Sequence, residues 1–127
     1  MGENRIKLVA ADMDGTLLNR ERKITKYTQD VIKKAMAQGV YFVPATGRAV
    51  NALPPELKEM EGIRYGIFSN GATIYDLKEE KVIYKNHFEM DRVLELMDFL
   101  KQFDLMESIS LNGQSYANKK EMENIDY

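Results

Sequence analysis

Two carboxylates stand two residues apart at Asp12 and Asp14, directly after a short apolar run. A carboxylate can ligate a hard cation such as Mg²⁺, which prefers oxygen ligands and is typically held by one or two carboxylates plus substrate phosphate. A carboxylate can also attack phosphorus to form an aspartyl-phosphate, and a second acid can protonate the leaving alkoxide and then activate water. The pair therefore favours metal-assisted phosphoryl transfer.

Gly15 and Thr16 complete this loop. Gly15 lets the backbone approach a phosphate closely, the amides of the turn form a nest for its oxygens, and Thr16 can close the turn. An Asp-Gly pair is also ordinary turn chemistry, in which the acids only cap a local bend. The five consecutive residues Asp12 to Thr16, placed after an apolar strand and before Leu17-Leu18, favour the catalytic interpretation.

The loop needs a strand before it and a helix after it. Ile6 to Ala11 predicts a buried strand whose carboxyl end points the acids into the crevice where open α/β sheets bind ligands. Thr25 predicts the start of a helix and Gly39 its end. The apolar residues of this helix fall on one face: Tyr27, Val31, Ile32, Ala35 and Met36. Val40 to Val43 predicts a second strand, with Pro44 near its end, and hence a right-handed crossover.

Two more loops with polar side chains follow predicted strands. Ala45-Thr46-Gly47-Arg48 comes after the second strand, and Asn70-Gly71 comes after a third strand at Tyr65 to Ser69. Thr46 could simply cap the next helix, and Arg48 could be a surface cation or the partner of a carboxylate. Asn70-Gly71 on local grounds is a two-residue hairpin turn. Neither loop indicates a ligand site by itself.

Beyond the third strand, hairpins replace crossovers. The segments expected to pair are Thr73 to Tyr75 with Lys81 to Tyr84, and Ser108 to Leu111 with Ser115 to Ala117 across an Asn112-Gly113 turn. Between these two pairs, Asp91 to Phe103 shows apolar residues at helical spacing. A second structural unit therefore begins near residue 85.

The sequence resembles a known family, the Cof-type, cap-bearing sugar-phosphatase branch of the haloacid dehalogenase superfamily. The resemblance covers the whole chain and rests on three motifs in the family's order and spacing: Asp12-Met13-Asp14-Gly15-Thr16-Leu17-Leu18, Ala45-Thr46-Gly47-Arg48 and Ser69-Asn70-Gly71-Ala72. It implies an α/β fold, the N-terminal part of a doubly wound, Rossmann-like parallel sheet followed by a β-hairpin and an incomplete α+β cap. We expect residues 1–84 to belong to the core and residues 85–127 to begin the cap.

The resemblance also implies roles for the candidate residues. Asp12 would be the nucleophile and a magnesium ligand, and Asp14 the general acid/base whose main-chain carbonyl also binds the metal. Thr46 would donate its hydroxyl hydrogen to the phosphate. The remaining phosphate or substrate contacts would come from Gly15, Thr16, Gly47, Arg48, Asn70 and Gly71. The implied function is a magnesium-dependent phosphatase for a small phosphorylated metabolite such as a sugar phosphate.

Members of this family also need a later lysine and a later Gly-Asp loop with a second aspartate, and neither lies in these 127 residues. Losing one preorganised electrostatic group commonly costs about 10²- to 10³-fold in rate, so we expect this chain to be an inactive fragment. In the family's sheet a strand from beyond the cap pairs with the first strand. We therefore expect an exposed edge here that supports self-association into a homo-oligomer.

Other function classes compete with the phosphatase. A non-catalytic module that binds phosphate and metal stays open as the alternative. A nucleotide-sugar transferase and a receiver domain are disfavoured by the Gly-Thr that follows the second acid, and receiver domains carry their phosphorylated aspartate on a later strand. The single histidine, His87, has no clustered partner and receives no role.

Composition and charge restrict the expected binding partners and the expected cellular compartment of the protein. Eighteen basic and twenty acidic residues give a formal net charge of −2, which argues for neither nucleic acid nor an anionic membrane surface. Lys33-Lys34 and Lys119-Lys120 are expected to be solvated surface. Cysteine is absent, which favours a reducing compartment, and no apolar run approaches the roughly 18 residues of a spanning helix. A soluble, cytoplasmic protein is expected.

Overall fold

The computed structural model describes residues 6–111 and 114–118. Within these ranges five strands form one mixed sheet in the order β1-β2-β3-β4-β5, and two more form a separate antiparallel pair. The strands β1, β2 and β3 are parallel, whereas β4 and β5 are antiparallel to their neighbours. Their bounds are β1 Leu8–Asp12, β2 Tyr41–Ala45, β3 Tyr65–Phe68, β4 Thr73–Asp76, β5 Lys81–Lys85, β6 Ser108–Leu111 and β7 Gln114–Ala117.

Three α-helices are present in the described ranges: α1 Lys26–Ala37, α2 Pro55–Lys58 and α3 Met90–Leu100. The predicted start of α1 is confirmed, because the Thr25 hydroxyl accepts the Thr28 amide at 3.2 Å. Its predicted end is confirmed too, since Gly39 has a φ of 84°. No helix in the described part of the chain combines the length and apolar character that crossing a membrane requires.

The apolar face of α1 is only partly covered. Ile32 is buried and Met36 is half-buried, while Tyr27 is 80% exposed and Val31 is 46% exposed. Among the described residues from β5 to β7, none is buried. The predicted helix there is confirmed as α3, but its apolar residues lie outside the core. The Asn112-Gly113 turn lies outside the described residues.

The prediction of a buried first strand was wrong. β1 is an edge strand that pairs with β2 alone among the described residues, and Leu8 is 54% and Val9 39% exposed. Parallel strands are normally buried because neighbouring strands and helices cover them. With one side of β1 open, its apolar residues meet solvent. The exposed edge that the family resemblance implied is present in the described chain.

Two further predictions needed correction in detail. β2 continues through Pro44, which is fully buried between β1 and β3, instead of ending at Val43. A missing proline amide removes only one ladder hydrogen bond, and burial of the ring compensates. The connection from β3 to β4 is four residues long, not two, because Phe68 pairs with Thr73.

The core gathers side chains from β2, β3, α1, α2 and the segments that connect them. Its buried members are Met13, Leu18, Ile24, Ile32, Phe42, Leu53, Leu57, Met60, Ile63 and Phe68. Met13 immediately follows the last residue of β1, and Phe68 is the last residue of β3; both are completely buried. The segments that leave these strands are therefore anchored in the core where they begin.

A buried carboxylate, Asp76, ties the second half of the sheet together. Arg64 Nε donates to its Oδ2 at 3.0 Å, and the Lys78 and Glu79 amides donate to its Oδ1, each at 3.0 Å. Burial raises the pKa of the Asp76 carboxyl, but the hydrogen bonds from Glu79, Arg64 and Lys78 outweigh it. Together they hold this pKa below its ordinary value.

The lowered pKa of Asp76 predicts that the contribution of this carboxylate to the free energy of unfolding is lost in acid. Because the folded pKa of Asp76 is lowered, its contribution is fully present above the unfolded pKa of about 3.9 and is lost as the pH falls through the folded pKa. We expect Asp76→Asn to lower the urea midpoint at pH 7 and to reduce the loss of stability below about pH 4. Asp91→Asn, at an exposed position of α3, is the matched control. Equal midpoints for the two variants would contradict this role.

Candidate active site

The loops that follow β1, β2 and β3 lie together at the carboxyl ends of the three parallel strands. Asp12 is in register with Ala45, and Ala45 with Ile67. Backbone hydrogen bonds join the second loop to the third: the Thr46 amide donates to Ile67 at 2.9 Å, the Asn70 amide to Thr46 at 3.2 Å, and the Ser69 amide to Arg48 at 3.0 Å. The three sequence motifs therefore meet at one edge of the sheet.

The first loop leaves β1 as a wide turn, Met13–Leu17, in which Asp14 and Gly15 have non-helical backbone angles. The Leu18 amide donates to the Met13 carbonyl at 2.8 Å and closes the turn. Gly15 has a φ of 80°, a conformation that side chains other than glycine rarely adopt, although an added Cβ would meet no atom. Backbone conformation, and not space, therefore requires glycine at this position. Asp14, Gly15 and Thr16 are all exposed.

Asp12, at the end of β1, has a carboxylate with no bonded partner among the described residues. Its side chain is exposed and makes no hydrogen bond or ion pair to any residue in the described ranges. Those ranges contain no group of three His, Cys, Asp or Glu side chains that could hold a metal ion. One free carboxylate beside main-chain carbonyls is nevertheless a donor set that suits Mg²⁺, which often keeps several waters and completes its shell with substrate oxygens.

Asp14 is held by Arg48 through two hydrogen bonds. Arg48 Nε donates to Asp14 Oδ2 at 2.9 Å and Nη2 donates to Oδ1 at 2.6 Å, while Nη1 reaches the Ala52 carbonyl at 3.4 Å. The hydrogen bonds from Arg48 lower the pKa of Asp14; partial burial opposes them, and the charges of Arg48 and Arg22 add to the lowering. Arg48 thus pairs with a carboxylate, which was one of its sequence alternatives.

Thr46 combines a turn-closing hydrogen bond with a spare donor. It is only 6% exposed, and its hydroxyl oxygen accepts the Arg48 amide at 3.1 Å. This hydrogen bond closes a local turn and does not cap a helix, because the next helical turn, Val50–Ala52, has Ala49 as its N-cap residue and no side-chain cap. The alternative that Thr46 caps the next helix is therefore wrong, and the bond uses only a lone pair of the hydroxyl. The hydroxyl hydrogen can still donate to another oxygen, because a threonine hydroxyl both donates and accepts.

The third loop approaches the second so closely that a side chain at Gly47 would displace the side chain of Asn70. A Cβ on Gly47 would lie 2.7 Å from Asn70 Oδ1. Ser69, Asn70 and Gly71 have φ values of 50°, 55° and 92°, so three consecutive residues are left-handed. The predicted two-residue Asn70-Gly71 hairpin is therefore wrong: both residues lie inside a four-residue connection, Ser69 to Ala72. The left-handed conformations of Ser69 and Asn70 are strained for residues other than glycine.

Sequence reasoning missed two features beside the site. Asn19 Oδ1 accepts the Glu21 and Lys23 amides at 3.0 and 2.9 Å, which fixes a tight loop in which Arg22 has a φ of 59°. His87, which received no role, shares a hydrogen bond of 3.1 Å with the buried Thr73 hydroxyl. The short polar stretch after the motif is a sequence feature that could have indicated the Asn19 loop. Nothing in the sequence indicates the hydrogen bond between His87 and Thr73.

Gly15 and Arg22 both have a left-handed backbone conformation near Asp14. Substitutions at these two residues are expected to change the free energy of unfolding in opposite directions. Gly15→Ala forces a Cβ into a left-handed residue, so we expect the free energy of unfolding to fall by about 1–2 kcal/mol. Arg22→Gly relieves the same kind of strain at the cost of chain entropy, and we expect a protein that is up to about 1 kcal/mol more stable. Urea unfolding measures both. A stability loss of the same size for Arg22→Gly would contradict the strain argument.

Comparison with known proteins gives one consistent family. Residues 9–127 match the model of the haloacid dehalogenase-like hydrolases. The chain is 37% identical over 89 residues to the 5-amino-6-(5-phospho-D-ribitylamino)uracil phosphatase of Bacillus subtilis, covering 67% of this chain and 36% of that protein. A phosphatase of the superfamily from Bacteroides thetaiotaomicron superposes with a TM-score of 0.73 at 30% identity, over 93% of this chain and 43% of that one.

A solved sugar phosphatase of subclass IIB superposes with a TM-score of 0.72 at 29% identity, over 87% of this chain and 43% of that one. The chain spans between 33% and 44% of the length of the first curated relatives. The family expected from the three motifs is confirmed, and so is the Rossmann-like fold of which the chain holds a part. The chain belongs to the haloacid dehalogenase-like hydrolases.

Proposed function

We propose that this site is the phosphoryl-transfer centre of a magnesium-dependent phosphatase. One observation carries the proposal: the uncommitted carboxylate of Asp12 ends β1 at the sheet edge where the loops bearing Thr46 and Asn70 converge. A nucleophilic carboxylate needs to be free of competing partners, and phosphate needs converging donors. Membership of a hydrolase family whose relatives include phosphatases supports it.

In the proposed reaction an oxygen of the Asp12 carboxylate attacks phosphorus while the bond from phosphorus to the leaving alkoxide breaks. Asp14 in its acid form gives its proton to that alkoxide. Water then attacks the phosphorus of the aspartyl-phosphate, Asp14 takes a proton from the water, and inorganic phosphate and the Asp12 carboxylate separate. The ion-paired Asp14 of this structure is the base form, so its contact with Arg48 must open for the first step.

The phosphate oxygens would be bound by backbone and side-chain donors from all three loops. The Thr46 hydroxyl hydrogen is free to donate, and it lies in a buried position that excludes water. The other proposed donors to phosphate or substrate are Gly15, Thr16, Gly47, Arg48, Asn70 and Gly71. A small phosphorylated metabolite such as a sugar phosphate is the proposed substrate class, which the neighbouring sugar phosphatase supports.

Mg²⁺ would be held by the Asp12 carboxylate and the Asp14 main-chain carbonyl. When bound, it would neutralise part of the phosphate charge.

We also propose that residues 1–84 belong to the catalytic core and residues 85–127 to a cap, and that the protein is cytoplasmic. The backbone bond from the Asn86 amide to the Ala72 carbonyl, 2.8 Å long, ties the start of this cap to the third loop.

We propose that the 127-residue chain alone turns over little substrate. The family resemblance calls for a later lysine and a second acidic loop, and the described residues provide no third acid for a metal cluster. Each preorganised charge of this kind contributes about 10²- to 10³-fold to rate. Rapid magnesium-dependent hydrolysis of p-nitrophenyl phosphate by the chain alone would overturn this part of the proposal.

Asp12→Asn separates an enzyme from a module that only binds phosphate and metal. In a complete, active form of the protein, we expect this variant to lose hydrolysis of p-nitrophenyl phosphate by about 10³-fold or more while still binding inorganic phosphate. Asp30→Asn, at a half-buried position of α1 outside the site, is the control and should retain activity. Undiminished turnover in Asp12→Asn would remove Asp12 as the nucleophile.

We further propose that β1 supports self-association by pairing with β1 of a second copy. Its open edge carries unpaired backbone groups beside the exposed Leu8 and Val9. A lysine on an edge strand opposes such pairing, so Val9→Lys should shift the protein toward monomer in sedimentation velocity at micromolar concentration. Val82→Lys, on the opposite edge strand β5, is the matched control and should have no effect. A wild-type protein that is already monomeric would contradict the proposal.

A further inference from the structure

The guanidinium of Arg48 presents an anion-binding fork at the site, and a carboxylate of the same site already occupies it. Nε and Nη2 form a fork around both oxygens of Asp14, at 2.9 and 2.6 Å. The same fork matches two oxygens of a phosphate group. One residue therefore faces two anions that cannot use the same pair of N–H groups at once.

We propose that Arg48 exchanges partners during the reaction, giving up Asp14 for the phosphate group of the substrate. This inference rests on the proposed function, and it makes Arg48 both a receptor for phosphate and the residue that positions Asp14. Substrate binding then has two consequences in one step. The phosphate gains a bidentate partner, and the Asp14 carboxyl is released to turn toward the leaving group.

The two partners are held very unequally, and this sets the direction of the exchange. The Arg48 backbone is fixed on both sides, because its amide donates to the Thr46 hydroxyl at 3.1 Å and its carbonyl accepts the Ser69 amide at 3.0 Å. Its side chain is 28% exposed, whereas that of Asp14 is 53% exposed and has only Arg48 as a hydrogen-bond partner among the described residues. Arg48 can stay in place while the more exposed Asp14 side chain turns away from it.

Charge favours the same direction. Asp14 and Arg48 together carry no net charge, so the closed pair offers little attraction to a phosphate. A dianion bound beside the closed pair would also lie close to the negative charge of Asp14. Exchange leaves the guanidinium with the more highly charged partner. Little opposes it, because a pair as exposed as this one is only weakly stabilising.

A different arrangement is available to the guanidinium and defines the competing outcome. Arginine has five N–H groups, and the fork to Asp14 uses one on Nε and one on Nη2. Nη1 also reaches the Ala52 carbonyl, at 3.4 Å. The N–H groups that remain could bind a phosphate end-on with Asp14 still in place. In that arrangement Arg48 bridges two anions and no exchange occurs.

A double-mutant cycle on phosphate binding tests the exchange. Calorimetry with inorganic phosphate in the presence of Mg²⁺ gives the Kd for the wild type, Asp14→Asn, Arg48→Met and the double variant. If Asp14 competes for Arg48, then Asp14→Asn should tighten phosphate binding by about tenfold when Arg48 is present and by less than about twofold when it is methionine. An equal factor in both backgrounds would show only the loss of a nearby charge and would overturn the exchange.

The Arg48 side chain itself gives a second measurement, which is needed if Arg48→Met binds phosphate too weakly to quantify. The ¹⁵Nε–¹H resonance of Arg48, assigned by its absence in Arg48→Met, reports the partner of that N–H group. Saturating phosphate should move this resonance in the wild type, because Nε–H changes partner. A resonance that does not move at saturation would overturn the exchange, as would a failure of phosphate to bind any of the four proteins.

The two proposals can fail separately. Both measurements can be repeated with Asp12→Asn, which removes the proposed nucleophile but keeps Asp14 and Arg48. Suppose that Asp14 and Arg48 are coupled in phosphate binding, but Asp12→Asn does not change turnover in the complete protein. That result would contradict the aspartyl-phosphate mechanism and support the exchange. Loss of turnover without coupling would keep the mechanism and sink the exchange.

Discussion

Parallel pairing of β1, β2 and β3 is the constraint on which the rest of this site depends. It brings three loops that are distant in sequence to the same edge of the sheet, since parallel strands share a carboxyl end. Each loop then starts beside a completely buried residue: Met13 after β1, Pro44 within the end of β2 and Phe68 at the end of β3. Burial of these residues fixes where the exposed, polar part of each loop begins.

Local backbone conformation shapes the loops that the strands bring together. Gly15 and the run Ser69 to Gly71 adopt left-handed conformations, which cost free energy at residues other than glycine and tend to occur at functional sites. Hydrogen bonds between the second and third loops hold the run Ser69 to Gly71 in place, and the bond from the Leu18 amide to the Met13 carbonyl closes the turn that contains Gly15. The result is a frame around two carboxylates that differ in their partners: Asp12 has none among the described residues, and Asp14 is paired with Arg48.

The sequence was sufficient for the features that depend on local patterns. The motif from Asp12 to Thr16, the Thr25 cap of α1 and its Gly39 terminator follow from residue type and spacing, and the structure bears out the helix limits. Features that depend on distant neighbours were out of reach. The exposure of β1 depends on what lies across its open edge, and the Arg48–Asp14 pair joins residues from different loops. The assignment of catalytic roles to these residues stays a prediction.

The central claim is that the three loops act together as one phosphate site, and a titration followed by amide NMR tests it most directly. Inorganic phosphate is added with Mg²⁺ to the ¹⁵N-labelled protein, and each shifted amide is fitted to its own Kd. The account predicts that the amides of Gly15, Thr16, Gly47 and Asn70 shift together with a common Kd, while those of β5 and α3 do not respond. Shifts confined to a single loop, or different Kd values for different loops, would contradict it.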